Sequence, residues 1–226
     1  MSELRKQIAA LLTDKSATKQ LVFDTTFEAF GELKEAIHEF STEIDEEMDE
    51  VIDRRIKIEY RDRGKFEAQV QVAGDMIIFT MHTNVFQFPA DHPIWQTEYV
   101  KEDPHRSYCG VINIYNFLAD SFRYNRADDE GYLIGRVFVN REGCYFVEGK
   151  KQDSMPVEQF GSKSFDRPAM MRILQTAVLY SLGFDLWVPP YEEVLYANVE
   201  QFNTKQENSK MQTGKRMGHE FSWNKE

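Results

Sequence analysis

The feature that most constrains this chain is an apolar stripe of helical period that gives way, at one junction, to a period of two. From Thr26 to about Arg54 the large apolar residues are Phe27, Phe30, Leu33, Ile37, Phe40, Ile44, Met48 and Val51. They recur every three or four positions, the spacing that puts side chains on one face of an α-helix. The back of its second half is acidic: Glu43, Asp45, Glu46, Glu47, Asp49 and Glu50. Beyond it, Ile56, Ile58 and Tyr60 alternate with charged residues, and so do Phe66, Ala68, Val70 and Val72 with polar ones. That alternation is the mark of strands with one wet face.

The rest of the chain reads in the same terms. Ser2 caps a short helix over 3–12, with Leu4, Ile8, Leu11 and Leu12 along one side. Thr13 to Lys19 is a polar break; Gln20 is the earliest start the long helix allows, and Thr25 or Thr26 is its better cap. Gly31 within that helix costs about 1 kcal/mol relative to Ala, which points to a kink or a close packing contact there. Asp62-Arg63-Gly64 and Gly74-Asp75 are hairpin signals. Met76 to about Phe88 forms a third strand, apolar on both sides near Ile77, Ile78 and Phe79. Pro89 to Arg106 is an irregular crossing, yet Ile94, Trp95, Tyr99 and Val100 make it pack on the domain. Tyr108 to Phe117 is a strand whose second half, with Leu118 and Phe122, reads equally as helix. Tyr132 to Val139 and Cys144 to Glu148 form a hairpin turned by Asn140-Arg141-Glu142-Gly143. Asp166 and Pro168 announce a helix that Gly183 stops. A last helix runs from Tyr191 to about Phe202 on Val194, Leu195, Val199 and Phe202.

Helices that precede and follow the strands, without alternating with them, imply an α+β fold. The expected architecture is an antiparallel meander of about five or six strands, with N- and C-terminal helices packed on one face. Residues 1–204 read as one domain and 205–226 as a polar, flexible tail.

Composition narrows the function classes. A net charge of -11 repels phosphate backbones, so non-specific nucleic-acid binding is not expected. No stretch reaches the roughly 18 apolar residues of a membrane span, and the start lacks a signal-peptide pattern. Two cysteines, Cys109 and Cys144, are too few for a disulfide framework and suit a reduced, cytoplasmic setting.

Four constellations carry candidate chemistry. His92, His105 and Cys109, with Asp91 and Asp103 nearby, are zinc-ligand types. Their spacing matches no CxxC or HExxH pattern, so no metal or other cofactor is expected. Asp129 ahead of Glu148-Gly149-Lys150 resembles the acid and Glu-x-Lys arrangement of metal-dependent nucleases, in which acids hold Mg²⁺ and lysine helps activate water. Cys109 sits among apolar neighbours, where burial keeps a thiol inert. Finally, Lys215, Arg216, Phe221 and Trp223 make a basic, aromatic-ended tail suited to docking. Glu43, Glu46 and Glu50 offer a second docking face, for a basic partner. The sequence therefore points to a non-enzymatic cytosolic interaction module with a protein partner. A metal-dependent hydrolase or nuclease, and a small-ligand protein with an aromatic-lined pocket, are the alternatives.

Overall fold

A computed structural model of the chain describes residues 2–48, 53, 56, 58–127, 129–149, 155–185, 188, 190–196 and 199. The expected tail, 205–226, lies outside them.

The chain opens with α1 (Glu3–Leu11), whose N-cap Ser2 accepts a hydrogen bond from the Arg5 amide. A π-helical turn, Leu12–Ser16, leads without interruption into α2 (Ala17–Met48). The polar break expected over Thr13 to Lys19 is therefore helical. That run holds neither Gly nor Pro, and polar side chains alone do not stop a helix. The Thr13 hydroxyl instead bonds back to the carbonyls of Ala9 and Ala10, at 2.9 and 3.1 Å. Thr26 is no cap either: it is buried, and its hydroxyl donates to the Val22 carbonyl at 2.7 Å. At Gly31 a methyl group would meet nothing within 4 Å, so close packing does not explain that glycine.

The sheet is antiparallel throughout, in the order β1-β2-β3-β5-β6-β7, with β4 pairing on β5. Its strands are β1 (Ile58–Asp62), β2 (Glu67–Val72), β3 (Asp75–Met81), β4 (Phe86–Gln87), β5 (Tyr108–Leu118), β6 (Tyr132–Asn140) and β7 (Tyr145–Gly149). The expected third strand thus ends at Met81, and only Phe86–Gln87 resumes pairing, against Cys109 and Tyr108. The ambiguous stretch after Tyr108 is strand to Leu118, followed by one helical turn, α4 (Ala119–Arg123). The crossing between β4 and β5 carries two 3-10 turns around α3 (Glu98–Glu102). After β7, α5 (Arg167–Leu182) starts at Asp166, whose side chain caps the Ala169 amide, and ends at Gly183. Among the described residues α6 covers Tyr191–Val194; Leu195 and Val199, expected on its buried stripe, are exposed, and Phe202 lies outside the described residues.

Strand alternation sorts the side chains into two cores. Ile112 and Ile114 of β5, Val137 and Val139 of β6, and Tyr145 and Val147 of β7 face α2 and α5. There they meet Phe30, Leu33, Ile37 and Phe40 of α2, and Met170, Ile173, Leu174 and Ala177 of α5. The terminal helices thus share one face, as an α+β layer requires. Cys109, Val111, Phe138 and Phe146 point the other way, against Ile94, Val100 and Phe160. The irregular crossing is the lid of this second core. Its rings interlock, with Phe138 stacked on Phe146 at 4.8 Å and Phe88 edge-on to Phe138 at 5.0 Å.

Candidate interaction surface

The long helix changes character along its length. From Val22 onward its stripe lies on the sheet: Val22, Phe30, Leu33 and Ile37 are at most 1% exposed. In α1 the stripe has the same period, yet no residue of α1 is buried. Leu4, Ile8, Leu11 and Leu12 are 57–70% exposed. Single exposed leucines are ordinary, but a contiguous row of four on one helix face is what interaction surfaces look like.

The arm is anchored where it leaves the domain. Asp14 Oδ2 lies 3.5 Å from His105 Nε2, and Thr18 Oγ1 hydrogen-bonds with His105 Nδ1 at 3.1 Å. Lys15 and Lys19 stand over the Tyr108 ring, at 5.9 and 5.6 Å from its centre. The π-turn spans this same region, and such turns recur at functional positions in helices.

Farther along α2 is a half-exposed aromatic cluster. Phe23 and Phe27 stack at 6.0 Å, and both rings lean on Phe66, at 6.3 and 5.7 Å. Phe27 keeps 36% of its surface exposed, beside the exposed carboxylates of Asp24 and Glu28. The second half of α2 exposes Glu43 and Glu46, while Glu50 lies outside the described residues.

A polar latch holds the crossing beneath the arm's anchor. The Tyr99 hydroxyl donates to Glu142 at 2.6 Å and accepts from the Asn140 amide at 2.9 Å. Arg106 stacks 4.3 Å from the centre of the Tyr99 ring and bonds Glu102 and Glu142, at 2.9 and 3.0 Å. Burial pushes the Tyr99 phenol well above its ordinary range, reinforced by Cys144 and Glu142 beside it. Burial also opposes ionisation of Glu142, but bonds from Tyr99 and Arg106, with the charges of Arg106 and Arg141, together hold its carboxyl below the usual range. Asp103 follows the same balance: burial is outweighed by the His105 amide and the charge of Arg141. Its stacked ring and paired charges tie the crossing to the β6–β7 turn, the geometry of a brace.

The residues singled out for chemistry are dispersed. His105 serves the arm's anchor. His92 stacks on Phe88 and faces Glu148 at 3.4 Å, on the side of the sheet that carries the second core. Cys109 is fully buried in β5, and burial drives its thiol far above the ordinary range. Among the described residues, no group of three His, Cys, Asp or Glu side chains is placed to hold a metal. The Asp129 side chain is buried just before β6 begins, accepting from Ser121 at 2.6 Å with Arg126 at 3.6 Å. Glu148 lies across from Arg136 and binds it. The two carboxylates are therefore not brought together by the hairpin, and Lys150, Lys215, Arg216, Phe221 and Trp223 lie outside the described residues.

The aromatic side chains chiefly build cores. A shallow depression of about 200 Å³ is lined by Leu133, Gly135, Arg136, Glu148 and Gly149. Another, of about 380 Å³, lies between α2 and β1 over Gly31, Lys34, His38 and Tyr60. Both are open to solvent, unlike the enclosed pockets that bind small molecules. No helix among the described residues is long and apolar enough to cross a membrane.

The fold defines the class: an α+β protein with, among the described residues, a seven-stranded antiparallel sheet. No protein-family model, curated protein or solved structure matches the chain.

Proposed function

We propose that this chain is a non-enzymatic protein-interaction module and that its docking element is the α1 arm. The observation that carries the reading is the exposed row Leu4, Ile8, Leu11 and Leu12 on a helix that buries none of its own residues. Such a row leaves apolar surface in water, and burying it against another protein removes that cost. The acidic face at Glu43 and Glu46 adds a charged surface that discriminates among partners. Two free cysteines support a reducing, cytoplasmic setting.

The test is site-specific photo-crosslinking in the native cell. A photoreactive residue at Leu11 yields a discrete protein adduct, and one at the exposed Glu98 of α3 yields none. Combining the Leu11 probe with Leu4→Ser and Ile8→Ser abolishes the adduct. A folded protein that gives no adduct from Leu11 overturns the reading.

A further inference from the structure

We propose that the partner of the arm is a second copy of this chain, and that the α1 arm of each copy lies antiparallel on the Phe23–Phe27–Phe66 cluster of the other. This rests on the arm being the docking element. Two apolar surfaces on one continuous helix face water: the row Leu4 to Leu12, and Phe27 at the open edge of an aromatic cluster whose Phe23 and Phe66 also lean on the main core. Followed through the π-turn, which takes an extra residue per turn, positions 12, 16, 20, 23 and 27 fall on the same side. A continuous helix cannot fold back on itself, so the two surfaces of one copy never meet. Two antiparallel copies bring them together twice.

Centred near Lys15 and Ser16, the antiparallel register sets Leu4 beside Phe27 and Ile8 beside Phe23 of the other copy. The interface is isologous and closes at two copies. Charge supports this arrangement. Arg5 and Lys6 of the arm arrive next to Asp24 and Glu28, the exposed acids that flank the aromatic cluster, and outweigh Glu3, which pairs with Lys6 at 3.9 Å and falls beside Glu28. The sheet of each copy packs on its helix from Thr18 onward, so antiparallel pairing sends the two bodies to opposite ends. A parallel pair would place two bodies of net charge -11 side by side and set each basic arm against another.

Charge reversal on the full chain, followed by sedimentation equilibrium over a range of concentrations, tests the pairing. Wild type dimerises reversibly. Arg5→Glu with Lys6→Glu, and separately Asp24→Lys with Glu28→Lys, each raise the concentration for half-dissociation at least tenfold. All four positions are exposed, so the melting temperature of each variant stays close to wild type, which confirms folding. Mixing the two variants restores the dimer, because both arms then meet a patch of opposite sign. Leu11 photo-adducts have twice the mass of the chain. If wild type is monomeric throughout, or dimerises undiminished with Asp24→Lys and Glu28→Lys, this pairing is wrong. In that case a Leu11 adduct with a different protein leaves the docking reading standing, and no adduct at all removes both.

Discussion

The two halves of the N-terminal helix share a hydrophobic period and differ in fate. Leu4, Ile8, Leu11 and Leu12 recur as regularly as Phe30, Leu33, Ile37 and Phe40, yet the first row stays exposed and the second is buried. The difference lies in what is opposite. Strands β5 and β6 present Ile112, Ile114, Val137 and Val139 to the second row, while the first has run past the sheet. Periodicity therefore reports the conformation of a segment, and burial reports its neighbours.

The comparison can be broken most severely by placing a charge on each row. Ile37→Asp buries an unpaired carboxylate in the main core and is expected to cost more than about 4 kcal/mol, abolishing cooperative unfolding. Ile8→Asp, on the same helix, should shift stability by no more than about 0.5 kcal/mol. Urea denaturation of the two variants, at concentrations low enough to keep the chain monomeric, checks this; equal effects would show that the arm is packed.

A smaller effect probes how closely the buried half fits. A Cβ on Gly110 of β5 would collide with the Thr26 side chain. Gly110→Ala should therefore destabilise by about 1–3 kcal/mol, the cost of overpacking. Adding Thr26→Ala, which removes the hydroxyl oxygen and the methyl that lie nearest that Cβ, should recover part of that loss in the same melts.

Gly31 sits on the packed half but touches nothing that a methyl group would disturb. Gly31→Ala should raise stability by about 0.5–1 kcal/mol through helix propensity alone. A loss of stability would show that something lies close over that turn.

The smallest effect concerns the latch under the arm's anchor, and it depends on pH. Glu142 is held below the ordinary glutamate range, so its ionisation favours the folded state above about pH 4.3. That contribution is lost as pH falls through the depressed value. The melting temperature of wild type should therefore exceed that of Glu142→Gln at pH 7, and the gap should close progressively below about pH 4.3. A gap that is constant with pH would remove the carboxylate from the brace.

Much of the fold was legible in local chemistry. The hairpin 132–149, the cap at Asp166 and the stop at Gly183 follow from turn and capping preferences that act within a few residues. The stripe of α2 and the alternation of β1 and β2 likewise follow from side-chain period. The joining of α1 to α2 was not legible, because Thr13 to Lys19 looks like a loop by polarity while containing nothing that breaks a helix. A signal was present in the absence of Gly and Pro. The second core left a signal too: β5 and β7 are apolar at both parities, as strands covered on both faces must be.

By itself the sequence determined the core of α2, the hairpins and the antiparallel sheet, because backbone sterics, hydrogen-bond geometry and side-chain period are local. The tertiary structure alone decided that His105 anchors a helix and that Leu4, Ile8, Leu11 and Leu12 face water. Those outcomes depend on which surfaces of distant segments come opposite one another, and hydrophobic burial is set by the whole arrangement and not by any window of the chain.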